Sequence, residues 1–145
     1  MAGLGIANAV DGGGDSIEHG IAIPDDILGR MRGQGTYLCP TLMVTEYVAP
    51  GRGGIWAKIP QFHRDSFQRA LKRGVKIAFG TDVGGFSWDA LNEAKEFEYE
   101  TQYGMTPMQA IQSATRTPAE MLGASDDIGT IESGKFADIV AVPGN

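Results

Sequence analysis

Residues 75–82 read Val-Lys-Ile-Ala-Phe-Gly-Thr-Asp, and this stretch decides the fold class. Apolar and polar side chains alternate at first and then give way to apolar ones only, which predicts a buried β-strand. Before the stretch, the apolar residues of 61–73 recur at helical spacing, and Gly74 provides the stop. A helix that leads directly into a buried strand is typical of α/β folds with parallel strands. Asp82 is therefore expected at the carboxyl end of a strand.

The same alternation continues towards the N-terminus. A strand is predicted around residues 16–19, a helix over 24–32 and a further strand over 36–39. The end of a helix is predicted over 4–10, and the irregular residues 45–60 are predicted to form a mobile loop. Strand and helix alternate three times, which indicates parallel βα units, too few to close a barrel of eight.

An acidic helix is predicted after this part of the chain, over residues 91–103. Leu91, Ala94 and Phe97 fall at helical spacing and are expected to form its buried side. Its carboxylates are then expected to form a solvated face, namely Glu93, Glu96, Glu98 and Glu100.

Two predicted helix starts follow, and after them the sequence pattern changes. Thr106-Pro107 and Thr117-Pro118 each combine a threonine suited to the N-cap with a proline at the first helical position. Beyond Gly123 the helical pattern ends, and residues 137–142 are predicted to form a strand. The chain is therefore expected to end on β structure outside the βα pattern.

Composition narrows the function classes. The chain has 145 residues and a net charge of −6, and its twelve basic residues are scattered, so nucleic-acid binding is not expected. No apolar run approaches the ~20 residues of a membrane span, and the N-terminus does not resemble a signal peptide. The single cysteine, Cys39, has no disulfide partner in the chain. This fits a reducing compartment, so a cytoplasmic location is expected.

Two side chains at strand ends are candidates for chemistry. His19 ends the strand around 16–19, where an imidazole could bind a metal or move a proton, although a lone histidine is more often a structural residue. Asp82 is either a paired or metal-bound carboxylate or the N-cap of a helix. Because both lie at the same end of parallel strands, they could converge on a divalent metal such as zinc. Two ligands are too few for a tight site, since zinc sites use at least three.

Two neighbouring candidates are set aside. His63 lies in the middle of a helix, and we expect it to face solvent, opposite Phe62 and Phe67. Glu18 precedes His19 in its strand and therefore points to the opposite face, where a salt bridge is expected.

The order of the motifs carries more information than any single one. Ile-Glu-His-Gly at 17–20, Gly-Thr-Asp at 80–82 and Gly-Lys-Phe-Ala-Asp-Ile at 134–139 follow one another along the chain. In this order they resemble the C-terminal third of the amidohydrolase superfamily, in the branch that contains imidazolonepropionase and Xaa-Pro or Xaa-Arg dipeptidase-like enzymes.

The resemblance implies an architecture. Residues 1–122 would form part of a (β/α)₈ barrel, about strands six to eight with the helices that follow them. Residues 123–145 would supply strands to a small β-sandwich that is completed by an N-terminal segment of the parent protein.

The resemblance also implies roles for the two candidates. His19 would correspond to the histidine at the end of strand six, which binds a metal or contacts substrate, and Asp82 to the aspartate at the end of strand eight, both metal ligand and general base. The cofactor would be one or two divalent ions, most often zinc. The substrate would be a small molecule with an amide, cyclic amide or dipeptide bond, cleaved by activated water.

The family's remaining ligands have no match in this chain. A His-x-His pair, a lysine or glutamate and a further histidine belong to earlier strands, so we expect an inactive fragment of a larger hydrolase. One alternative is a non-catalytic binding or oligomerising module, in which the open edges of a half-barrel pair with another copy. Another is an unrelated α/β protein whose His19 and Asp82 lie far apart.

Overall fold

The computed structural model describes residues 2–84 and 92–144. Its helices are α1 (Ala2–Asp11), α2 (Asp25–Gln34), α3 (Leu42–Val48), α4 (Ile59–Arg73), α5 (Lys95–Gln102), α6 (Pro107–Ser113) and α7 (Arg116–Met121). The strands are β1 (Ser16–Glu18) and β2 (Tyr37–Cys39), and a 3-10 helix spans Gly54–Lys58. Strand and helix therefore alternate through the first half of the chain, in the order that the sequence predicts.

The strands pair in parallel. β1 lies beside β2, and on the other side of β2 Leu38 forms a parallel bridge with Ile77. The Leu38 N–H donates to the Lys76 carbonyl and the Ala78 N–H donates to the Leu38 carbonyl, both at 2.9 Å. The predicted strand over 75–79 is thus an extended segment held to β2 by one bridge, and the order in space is β1, β2, segment 75–79.

Glycines end α2 and α4, which lead into β2 and segment 75–79. Gly35 follows α2 with φ 81°, and Gly74 follows α4 with φ 74°. Both lie in the left-handed region that glycine adopts without strain, and each backbone N–H returns to a carbonyl of the preceding turn. The predicted stop at Gly74 is confirmed, and α2 continues to Gln34, two residues beyond its predicted end.

Only one of the two predicted threonine caps forms. The Thr106 hydroxyl accepts from the Gln109 N–H while the Gln109 side chain accepts from the Thr106 N–H, which is a complete capping box. The second prediction is wrong, because α7 begins at Arg116 and Thr117 lies inside it. A helix that starts two residues earlier than predicted leaves this threonine no N-cap position.

One apolar core joins the helices to the sheet. Its fully buried members come mainly from α2, α4 and the strand segments, and include Ile23, Leu28, Met31, Leu38, Phe67 and Ala70. No helix of the described ranges 2–84 and 92–144 is long and apolar enough to cross a membrane.

Three further expectations need correction. Residues 45–60 are partly helical, since α3 ends at Val48 and the 3-10 helix leads into α4. On α5 the predicted faces are partly wrong: Glu98 is exposed as expected, but Ala94 is also exposed, while Glu96 and Glu100 are each 0% exposed. Leu91 lies outside the described residues.

The predicted C-terminal strand does not form within this chain. Residues 137–142 adopt no strand in the described part of the chain, and their apolar side chains are exposed. A strand needs a partner to satisfy its backbone N–H and C=O groups. The β-sandwich domain therefore stays a prediction.

Candidate functional site

Three side chains lie just beyond the carboxyl ends of neighbouring parallel strands. His19 directly follows β1, Thr41 lies two residues beyond β2, and Asp82 lies three residues beyond segment 75–79. Adjacent strands are about 4.8 Å apart, so the first and third strand ends lie about 10 Å apart along one edge. In parallel α/β folds this edge carries the functional residues.

The same three residues share an uncommon backbone conformation. Their φ angles are 64° for His19, 51° for Thr41 and 54° for Asp82, and in the described ranges only Ala22 joins them among non-glycine residues with positive φ. The left-handed region costs an L-residue about 1–3 kcal/mol, and more for a β-branched threonine. Such strain is concentrated at active sites and ligand clamps. It therefore marks this edge independently of the residue types.

His19 is oriented through one ring nitrogen. Its Nδ1 lies 2.7 Å from the Thr41 hydroxyl oxygen, and its backbone N–H donates to the Cys39 carbonyl at 2.9 Å. The first contact fixes the imidazole plane and engages Nδ1, which leaves Nε2 for a ligand. Thr41 was missed by the sequence analysis. Its position in the sequence could have identified it, because Thr41 follows β2 much as His19 follows β1.

Asp82 is exposed at the third strand end. Segment 75–79 is followed by Gly80, where an added Cβ would collide with the Cys39 sulfur. Gly80 therefore lets this segment approach β2 closely just before it reaches Asp82. The alternative that Asp82 caps a helix concerns residues 83–91, of which Val83 and Gly84 lie in a turn and 85–91 lie outside the described residues.

Cys39 does not provide a nucleophile. It is buried at the end of β2, and burial together with the nearby Glu18 carboxylate raises the pKa of its thiol above the usual range. Reactive cysteines need the opposite, a lowered pKa and access to solvent.

Glu96 holds the turn that carries Thr41. Its two carboxylate oxygens accept from the N–H groups of Leu42 and Met43, each at 2.7 Å. These N–H groups open helix α3 and have no intrahelical partner, so the acid supplies the missing acceptors. Burial raises the pKa of Glu96 to about 7, and the two backbone bonds oppose the rise. The helix that follows Asp82 thereby fixes the turn beyond β2.

His63 is placed differently from the expectation. It is 1% exposed and shares the buried side of α4 with Ser66, Phe67 and Ala70, so the prediction of a solvent-facing side chain is wrong. Its Nε2 lies 2.7 Å from the carbonyl oxygen of His19, and its Nδ1 lies 2.9 Å from the Thr45 hydroxyl. Burial lowers the pKa of His63 to about 4. Counting i+3, i+4 and i+7 from His63 would have found this face.

The donor set fits a divalent ion in part. Imidazole nitrogen and carboxylate oxygen are ligands that zinc and similar ions accept. His19 has a ring nitrogen engaged by a hydroxyl, an arrangement that orients metal-binding histidines. Within residues 2–84 and 92–144, however, no three His, Cys, Asp or Glu side chains come together as a metal site. The donor types of His19 and Asp82 therefore suit a divalent ion, and their role as metal ligands stays a prediction.

Sequence comparison identifies the family. Residues 6–144 match the Amidohydrolase family, whose members typically bind divalent metals. The ochratoxinase of Aspergillus niger is 30% identical over 151 residues, which covers 97% of this chain and 31% of the relative. The imidazolonepropionase of Thermoplasma acidophilum is 32% identical over 76 residues, covering 52% of this chain and 18% of the relative.

Comparison with solved structures supports the same family. A crystal structure of a Xaa-Pro dipeptidase with bound methionine in the active site superposes with a TM-score of 0.89 at 39% identity, over 99% of this chain and 37% of that one. The chain thus spans about a third of the length of these relatives. The expected resemblance is confirmed, and the chain belongs to the amidohydrolase family.

Proposed function

We propose that this chain supplies part of the active site of a metal-dependent hydrolase that cleaves carbon–nitrogen bonds in small substrates. The observation that carries the proposal is the row of His19, Thr41 and Asp82, which share left-handed φ angles at three neighbouring strand ends. Family membership supports the hydrolase class. In the family's barrel the three ends would be those of strands six, seven and eight.

His19 and Asp82 would hold the metal, and the chemistry of the two donors favours zinc. A bound divalent ion lowers the pKa of a water ligand towards ~7 and makes it a nucleophile. The Asp82 carboxylate would accept the proton of the attacking water and pass it to the leaving nitrogen. Nδ1 of His19 is already engaged by Thr41, so Nε2 would be the ligand atom.

The substrate class follows from the relatives. One solved neighbour is a Xaa-Pro dipeptidase, another is a prolidase complexed with N-methylphosphonate-L-proline, and a relative in sequence is an ochratoxinase. We infer a small amide or dipeptide with an Xaa-Pro-like bond for the whole protein. Nucleic acids and membranes are not proposed as partners.

We further propose that residues 1–122 belong to the barrel and that residues 123–145 belong to the small β domain. The remaining metal ligands would then come from earlier barrel strands, so the chain alone should bind metal weakly and catalyse no measurable hydrolysis.

The test is a calorimetric titration of zinc into the purified chain, into Asp82→Asn and into Asp15→Asn, whose exposed acid serves as the matched control. We expect weak binding that is lost in Asp82→Asn and kept in Asp15→Asn. Equal binding by all three proteins would refute the metal role of Asp82. Metal-dependent hydrolysis of an Xaa-Pro dipeptide by the chain, lost in Asp82→Asn, would refute its inactivity.

A second candidate is an oligomerising module. In the described part of the chain β1 pairs with β2 only, so its outer edge is open, and open edges pair with other chains. A second copy could cover this edge. Light scattering tests it, and a monomer at high concentration would count against it.

A further inference from the structure

One face of helix α4 is polar although it is turned towards the core. Three of its residues, spaced three apart, contact the turn that follows β1: His63, Ser66 and Arg69. We call these three residues the α4 polar face. Residues three apart lie on one side of a helix, so a single rigid element can hold several points of one turn.

The contacts follow the turn in order. The ring of His63 meets the His19 carbonyl at 2.7 Å, and the Ser66 hydroxyl donates to the Gly20 carbonyl, also at 2.7 Å. The same Ser66 oxygen accepts from the Ile23 N–H at 3.0 Å. A guanidinium N–H of Arg69 donates to the Ile23 carbonyl at 2.8 Å. The carbonyls of His19, Gly20 and Ile23 and the N–H of Ile23 therefore find their partners in side chains of α4.

The His63 contact has a defined direction. A carbonyl can only accept, so the hydrogen of the neutral His63 ring must be on Nε2. Its Nδ1 lies 2.9 Å from the Thr45 hydroxyl, which donates to the Leu42 carbonyl at 3.0 Å. His63 and Ser66 are 1% and 0% exposed, so solvent does not compete for these contacts in the folded chain. A carbonyl that loses its partner in a buried position is strongly disfavoured. The left-handed turn at His19 thus depends on this face.

We propose that His63 and Ser66 are positioning residues for His19. They hold its backbone in the left-handed conformation from one side, while Thr41 holds its Nδ1 from the other, and together they aim Nε2 at the strand-end site. The expected effect on metal binding rests on the proposed function, whereas the expected effect on the backbone conformation of His19 does not.

The variants separate hydrogen bonding from packing. His63→Gln keeps a donor at the Nε2 position, whereas His63→Leu keeps bulk and removes the donor. Ser66→Ala removes the hydroxyl that contacts Gly20 and Ile23, with little change in volume. Phe67→Leu is the matched control, because Phe67 is fully buried on the same helix but belongs to the apolar core.

Two readouts are taken by NMR. The first, without metal, is the set of backbone chemical shifts of residue 19, which report left-handed φ. The second is the broadening of the His19 ring signals by Co²⁺, which gives an apparent dissociation constant. Ring signals are easily assigned because the chain has two histidines, and His63→Gln removes one of them.

We expect His63→Leu and Ser66→Ala to move the backbone shifts of residue 19 away from left-handed values. Co²⁺ binding should weaken about 10-fold or more in His63→Leu, in line with the loss of outer-sphere partners at metal sites. His63→Gln and Phe67→Leu should keep both readouts near wild type. Unchanged shifts in folded His63→Leu and Ser66→Ala would overturn the proposal.

The proposed metal site and the proposed positioning role can be refuted independently of each other. Absence of any Co²⁺ effect on wild-type His19 would overturn the proposed metal site, and the backbone shifts would still decide the positioning role. If His63→Leu does not fold, Ser66→Ala and His63→Gln decide it: normal shifts in Ser66→Ala, or loss of the left-handed shifts in His63→Gln, would count against it.

Discussion

Glu100 is the acid whose ionisation the fold opposes most. Its side chain is 0% exposed, Oε2 accepts from the Ser113 hydroxyl at 2.8 Å, and Oε1 has no hydrogen-bond partner among the described residues. Burial, with a smaller contribution from the charge of Glu96, raises the pKa of Glu100 to about 8. We therefore expect Glu100 to be protonated in the folded chain at neutral pH.

This shift makes the free energy of unfolding depend on pH. In the unfolded chain the ordinary pKa of 4.5 applies, so above that pH the unfolded state releases the proton while the folded state keeps it. The contribution of Glu100 is complete below pH 4.5 and is lost as pH rises towards 8. Each pH unit costs about 1.4 kcal/mol, hence about 3 kcal/mol between pH 5 and pH 7.

Glu100→Gln carries no proton to lose and should lack this dependence. Urea denaturation at pH 5, 6 and 7, followed by far-UV circular dichroism at constant ionic strength, measures it. Relative to wild type, the variant should gain about 3 kcal/mol in free energy of unfolding between pH 5 and pH 7. Glu98→Gln, on the exposed side of the same helix, is the control and should follow wild type. Parallel curves for Glu100→Gln and wild type would refute the reasoning.

Three further predictions concern stability and use the same denaturation assay. Thr106→Ala should cost about 1 kcal/mol because it removes a capping box, whereas Thr117→Ala removes no cap and should cost less; equal losses would contradict the cap assignment. Gly80→Ala should cost about 1–3 kcal/mol because its methyl group collides with the sulfur of Cys39, and the loss should shrink in a Cys39→Ala background. Thr41→Val should cost about 1 kcal/mol more than Thr41→Ser, since only serine keeps the hydroxyl that meets the imidazole; similar values would argue against that bond.

Local patterns predicted the elements well where one local rule decides the outcome. The helices over 25–34 and 59–73 end at glycines because a left-handed residue must follow, and the sequence displays that glycine directly. The tail over 137–142 is different, because a strand depends on a partner that local sequence does not contain. Apolar alternation alone could not decide whether that partner is present.

The candidate site was predicted in part. His19 and Asp82 were identifiable because they follow strands and because the order of motifs resembles one family, and the structure adds that both have positive φ. Their role as metal ligands stays a prediction. Thr41, His63 and Glu96 were missed, since a hydroxyl after a strand and polar residues within helices are individually common.

These omissions have one physical cause. A strand-end turn in a left-handed conformation leaves the sheet ladder, so its carbonyl and N–H groups need partners from elsewhere. The carbonyl of His19 finds the ring of His63, and the N–H groups of Leu42 and Met43 find the carboxylate of Glu96.

Each partner lies on the inward face of a helix, where solvent cannot compete. A polar residue in phase with the apolar residues of an amphipathic helix is therefore evidence about the neighbouring turn. In α4, Ser66 and Phe67 lie in the same register as His63, and in α5 Glu96 and Glu100 are four residues apart. The inward face of a helix can be assigned from the spacing i, i+3, i+4 and i+7 of its apolar residues. Polar residues that fall on this inward face then identify neighbouring strand ends whose backbone groups they stabilise.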